Sequence, residues 1–170
     1  NEEIREEFIR SIKNGSRKEL VKAVELSDKL LRATINKDES TVAEIIGEAH
    51  QANTSPKFYN NEQALRSVVI MAYLSSVDDY IRFEELASGK GYIDLLFLPA
   101  LQSSKPALII ELKWNKSAEK AVQQEQDQQY WKFAKQFRYK GKILLVGINY
   151  NSKTKKHTCK IKEIESLEKN

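Results

Sequence analysis

Three charged side chains sit inside runs that are otherwise apolar. Asp94 interrupts YIDLLFLP (92–99), and Glu111 and Lys113 fall near the end of PALIIELKW (106–114). Both runs read as strands, in which side chains alternate between faces. Ile109, Glu111 and Lys113 then share one face, and Leu108, Ile110, Leu112 and Trp114 the other. In the preceding run, Tyr92, Asp94, Leu96 and Leu98 share a face. Burying an unpaired carboxylate costs several kcal/mol, so such groups are paired, hydrogen-bonded or bound to a metal. If the two strands are adjacent, Asp94 and Glu111, 17 residues apart, converge at one end of the sheet. Two carboxylates held close repel, which raises a pKa or invites a cation. Oxygen ligands completed by water and a substrate phosphate suit magnesium. Lys113 beside them could hold a water, orient a phosphate or stabilise developing negative charge. The same residues would also suit a Glu111–Lys113 salt bridge at the wet end of a strand, with Asp94 at a turn.

The elements around them must position these groups. Residues 1–53 read as mostly helix. Phe8, Ile9 and Ile12 form a short stripe broken at Asn14-Gly15, and Ser16 through Glu19 fit a capping box. The next helix carries Leu20, Val21, Val24, Leu30 and Leu31, with Leu26 at the edge. Thr41 through Glu44 fit a second capping box, opening a helix with Val42, Ile45, Ile46 and Ala49; His50 reads as a boundary residue. TSPKFYN (54–60) is a turn. A helix starting near Asn61 is apolar nearly all round from Val68 to Leu74, which predicts deep burial. Strands follow over 80–86, 92–99 and 106–114, then a long helix over 118–137 capped by Ser117 and closed by Gly141. Strands over 142–150 and 157–164 complete the chain. The first three strands suit a meander, and the crossover helix lets the fourth join in parallel. The class is α/β with a mixed sheet and a helical layer. Residues 1–53 form that layer and 54–170 the functional domain, as one compact unit.

The chain of 170 residues is long enough for one domain with a core of its own. No apolar run approaches a membrane span, and the acidic opening NEEIREEFIR is no signal peptide. Asn rather than Met at position 1 suggests a piece of a longer protein. The lone Cys159 excludes an internal disulfide and a cysteine zinc cluster, and suits a reducing cytoplasm. Net charge is only +4, yet residues 113–162 hold 13 basic and 3 acidic side chains. That excess favours a polyanion partner, or else a lysine-rich solvated surface. Lys116, Lys120, Lys132, Lys135, Arg138 and Lys140 lie on or beside the long helix. Tyr130, Phe133, Ala134 and Phe137 fall at helical spacing, as core residues do.

Taken together, GYID (91–94), ALIIELKW (107–114) and SAEKAVQQ (117–124) resemble the PD-(D/E)XK nuclease superfamily. The closer likeness is to the branch found at the C-terminus of bacterial AAA-ATPase-like proteins. That branch shows a G-x-G-x-x-D strand, here Gly89 through Asp94, and a loop ending K-P-A, here Lys105 through Ala107. Its E-L-K-W strand corresponds to Glu111 through Trp114, and its S-A helix start to Ser117-Ala118. ILLVGINY, KTKKHTC and the LLRATINKD region also resemble it, so the likeness covers nearly the whole sequence. Ile93 stands where many superfamily members have proline.

The resemblance implies a restriction-endonuclease-like α-β-β-β-α-β core, in agreement with the element order read from the residues. It implies metal-dependent phosphodiester hydrolysis with Mg2+, or Mn2+, on nucleic acid, DNA ahead of RNA. Asp94 and Glu111 would be metal ligands, the Leu112 carbonyl a third, and Lys113 would position or activate the attacking water. Glu62, in the first turn of the buried helix, matches an acidic residue that many members carry, although the helix dipole would favour it there anyway. Gln124 matches a glutamine on the helix after the E-x-K strand, with Gln128 as the competing register. The implied partner is an ATPase domain of the same longer protein, to which the N-terminal helices could dock. The competing reading is a non-catalytic nucleic-acid or protein binding module that keeps the fold.

Overall fold

Aliphatic residues dominate 107–114 and 142–150, and a run with no polar face must be covered on both sides. In the computed structural model, which describes residues 17–53 and 61–165, these runs are the two central strands of a single sheet. The strands lie in sequence order: β1 (Tyr80–Ser88), β2 (Gly91–Pro99), β3 (Ala107–Trp114), β4 (Lys142–Asn151) and β5 (Lys156–Glu165). Only β3 and β4 run parallel; the other neighbours are antiparallel. The mixed α/β sheet and its crossover are as the residues predict. The stripe at Phe8, the break at Asn14-Gly15, the cap at Ser16 and the turn over 54–60 lie outside the described residues.

Helices cover both faces. On one, α1 (Arg17–Ile35), α2 (Glu39–Asn53) and α3 (Glu62–Ala72) bury Leu30, Ile46, Leu65 and Val69 against Leu108, Ile110, Val146 and Ile148. On the other, α4 (Ala118–Asp127), a 3-10 turn (Tyr130–Lys132) and α5 (Phe133–Gln136) bury Val122, Tyr130 and Phe133 against Ile109, Ile143 and Leu145. Each such side chain contributes about 1.5–3 kcal/mol. Gly147 lets α4 approach: a Cβ there would lie 2.3 Å from the Ala118 carbonyl oxygen. Register places Gly147 beside Glu111.

Several local expectations are corrected. Thr41 does not open α2; the helix starts at Glu39, and the Asp38 carboxylate caps it by accepting from Thr41 N at 3.3 Å. Helix α3 is buried at Ala64, Leu65, Val68 and Val69 but not all round, and it stops at Ala72. Leu74 belongs to a following 3-10 turn and is exposed. His50 is not at a boundary but fully buried, its ring edge-on to Tyr150 and its Nδ1 2.7 Å from His157 Nε2. The long helix over 118–137 is broken. Gln129 takes a left-handed φ of +57°. Lys90 N donates to the Gln128 carbonyl at 2.8 Å, and Ser88 Oγ to the Tyr130 carbonyl at 2.8 Å. Carbonyls that would serve a continuous helix instead fasten the β1–β2 hairpin tip. The aromatics around the break are core, as their spacing predicts.

Candidate active site

Alternation fails where the chemistry is expected. Ile93 and Leu96 pack in the same cluster while Leu95 and Phe97 pack in the other, so β2 switches faces at Asp94. Its partner strand switches at the facing residue, Glu85, which holds a φ of +51°. A non-glycine residue in that region is strained by about 1 kcal/mol or more. Ile93 therefore shares a face with Leu96, in contrast to the expectation from strict alternation. Next to the kink β2 and β3 part, and their pairing ends at Leu95–Ile110. The Leu112 amide donates to Asp94 Oδ2 at 3.0 Å.

Glu111 and Lys113 do share a face. Lys113 Nζ lies 3.1 Å from Glu111 Oε1 and also donates to Gln124 Oε1. Gln124 Nε2 donates to Glu111 Oε1 at 2.6 Å and to the Tyr130 hydroxyl at 3.2 Å. The ammonium is thus held between two oxygens contributed by a strand and a helix. Ser117 sets the phase of that helix: its side chain caps α4 by accepting from Lys120 N at 3.1 Å. Gln128 instead faces Gly91 at the hairpin tip, so Gln124 is the glutamine at the charged cluster. Glu62 is exposed at the start of α3 and none of the described contacts joins it to Asp94 or Glu111. The Leu112 side chain packs in the core.

Two groups escape the sequence reading. Arg66, one turn after Glu62 on α3, bonds Asp94 Oδ1 at 2.8 Å and Glu85 Oε1 at 2.7 Å. An arginine inside a VVI-rich helix was a visible signal, since a cation there requires an anion nearby. Glu125 was hidden in QQEQDQQ. It is fully buried beneath the site, and neither carboxylate oxygen finds a well-aligned donor. Burial, then the charges of Glu111 and Asp94, hold its carboxyl well above the usual range; the Val146 backbone offsets part of this. Burial also pushes Glu111 up, to about 8, with the neighbouring Asp94 charge adding and Lys113 opposing.

Glu111 Oε2 is buried and accepts no hydrogen bond. An orphaned carboxylate oxygen beside a second carboxylate fits a hard divalent cation. Among the described residues no three His, Cys, Asp or Glu side chains are placed to hold a metal ion together. Main-chain, water or substrate oxygens would therefore complete the shell around Asp94 and Glu111.

Residues 60–160, from just before α3 to the middle of β5, match the sequence model of the PD-(D/E)XK nuclease superfamily. The chain belongs to that superfamily. Its mixed five-stranded sheet with flanking helices is the restriction-endonuclease-like architecture. PD-(D/E)XK proteins are in general nucleases, which sets a nuclease-type function on nucleic acid as the coarse assignment. No curated protein matches the sequence. Among the described residues no helix is long and apolar enough to cross a membrane.

Proposed function

We propose that this PD-(D/E)XK protein hydrolyses phosphodiester bonds of nucleic acid, DNA ahead of RNA, with Mg2+ as the working cation and Mn2+ as a substitute. The observation that carries this is the Glu111–Lys113–Gln124 cluster: a half-buried ammonium aimed by two partners, next to a buried carboxyl group with one unsatisfied oxygen. A plain surface salt bridge needs neither the burial nor the glutamine.

Asp94 and Glu111 would hold the cation, with the Leu112 carbonyl as a further ligand. When bound, the cation supplies Lewis-acid character and positive charge at the phosphate. The protein's own residues do the rest. Lys113 orients the attacking water and places a fixed positive charge where negative charge develops. Gln124 holds that ammonium in place and leaves it no freedom to swing away. Tyr130 fixes Gln124 in turn. Arg66 neutralises Asp94 until a cation does. Glu62, exposed one turn before Arg66, belongs to the outer rim of the site.

The motifs at Gly89–Asp94, Lys105–Ala107 and Glu111–Trp114 support a position for this domain after an AAA-type ATPase module, at the C-terminus of a longer cytoplasmic protein. Residues 1–53 would be its docking layer and 54–170 the nuclease unit. One observation favours a second reading, a non-catalytic binding module: Arg66 and Lys113 already pair with Asp94 and Glu111 from within. The deciding experiment is cleavage of a labelled nucleic-acid panel with Mg2+, Mn2+ or chelator, beside Asp94→Ala. Metal-dependent cleavage lost in Asp94→Ala supports the nuclease. Binding without cleavage on every substrate overturns it in favour of the module.

A further inference from the structure

A second feature lies beside the site and has no part in the chemistry above. The β1–β2 hairpin tip and the 3-10 turn after α4 border an open, solvent-facing depression of about 400 Å3, lined by Ser88, Lys90, Gly91, Tyr92, Lys132 and Gln136 among others. That volume falls within the roughly 300–1,000 Å3 of small-ligand sites. We infer that this depression is a subsite for one unstacked nucleotide of a single-stranded nucleic acid, with Tyr92 stacking on the base and Lys90 and Lys132 taking its phosphate. The inference rests on the nuclease reading and adds the strandedness of its substrate.

Three observations carry it. First, the walls are rigid. Gly89, at φ +60°, presses backbone to backbone on the turn: a Cβ there would lie 2.1 Å from the Gln128 carbonyl oxygen. The Lys90 amide and the Ser88 hydroxyl tie the same two segments. A site preformed in this way loses little ordering entropy on binding. Second, Tyr92 is 68% exposed on this clamped hairpin. An aromatic ring held out to solvent on rigid backbone is a stacking platform that any base can use. Among the described residues neither the Lys90 nor the Lys132 ammonium has an anionic side-chain partner, so both are available to a phosphate. Third, the depression adjoins the catalytic cluster through one residue. A Cβ on Gly91 would lie 3.4 Å from the Tyr130 hydroxyl, and that hydroxyl bonds Gln124, which bonds Glu111. A strand crossing the site would place its next nucleotides at this depression. A paired base could not reach the Tyr92 ring without leaving its stack.

The test is fluorescence anisotropy on the full-length protein in chelator, with a short labelled single strand and a hairpin duplex of the same sequence. Base–aromatic stacking is worth about 1–3 kcal/mol. Tyr92→Ala should therefore weaken single-strand binding about 5- to 150-fold and leave duplex binding within about twofold. Tyr92→Phe should restore it, and Lys90→Ala or Lys132→Ala should each lower the salt slope by about one. Equal affinity of parent and Tyr92→Ala for the single strand, or equal losses on both forms, overturns the subsite. Cleavage by the parent in Mg2+ is read in parallel. Cleavage with no Tyr92 effect removes the subsite and keeps the nuclease; a Tyr92 effect with no cleavage removes the nuclease and keeps the subsite.

Discussion

Glu111→Gln should make the metal-free protein more stable at neutral and alkaline pH while abolishing any cleavage. Burial and the Asp94 charge raise the Glu111 carboxyl from 4.5 to about 8. In the unfolded state the same group ionises near its ordinary value. Folding is thus favoured by the proton that Glu111 retains, and this contribution is complete below about pH 4.5 and lost as pH rises towards 8. At about 1.4 kcal/mol per unit, the loss by pH 7 is on the order of 3 kcal/mol, and by pH 8 somewhat more. A glutamine carries no charge to bury. It forfeits the Lys113 ion pair and leaves an amide near the spot where Glu111 Oε2 finds no partner, which costs about 1 kcal/mol. Urea unfolding of parent and variant in chelator at pH 5, 6, 7 and 8 gives the comparison. The parent should lose stability across this window, the variant should change by about 3 kcal/mol less, and Mg2+ at pH 8 should stabilise only the parent. Parallel stability curves would show that Glu111 ionises without strain, and the metal-site reading of this carboxylate would go with them.

Other outcomes follow from the same geometry. Lys113→Met should lower kcat on a cleaved substrate about 100-fold or more with KM within a few-fold, because the ammonium acts on the transition state. Arg66→Ala should tighten divalent-cation binding about tenfold by calorimetry, since a unit positive charge about 6 Å from a divalent cation repels it by about 1.4 kcal/mol even in high dielectric; weaker binding would show that Arg66 supports the site. Gly147→Ala should cost about 1–3 kcal/mol in urea unfolding and loosen Gln124, because its Cβ would meet the Ala118 carbonyl at 2.3 Å. At acid pH the sign reverses from that of Glu111. Burial depresses His50 and His157 to about 4, so their neutral forms stabilise the fold above about pH 6.5 and this is lost as pH falls towards 4. The melting temperature should drop over that window, and less so in His157→Phe.

Much of the arrangement was legible because it rests on patterns local in sequence. The unbroken apolar runs of β3 and β4 could only be central strands, and two-residue spacing put Glu111 and Lys113 on one face. Ser117 announced α4, and with it the reach of Gln124. What stayed hidden was imposed from a distance. Nothing in QQYWKF disfavours helix; the break at Gln129 comes from Lys90 and Ser88, some 40 residues upstream. The face switch at Glu85 and Asp94 needs two strands to kink together, and strict alternation in either alone misses it. His50 looked peripheral on its own helix because its burial comes from Tyr150 and His157. Arg66 carried a readable signal, an arginine in an apolar helix, whereas Glu125 carried none.

The contact between α4 and Gly147 has a consequence for the newborn polypeptide. Asp94, Glu111, Lys113 and Gln124 are all translated before β4, yet α4 rests on that strand, and β3 pairs with it along Ala107–Trp114. A polypeptide emerging N-terminus first therefore contains every proposed reacting side chain well before it can seat them. Products arrested or clipped short of residue 147 would hold the full set of these groups in no working order. A cell making such an enzyme would gain a built-in delay, with cutting withheld until the sheet closes.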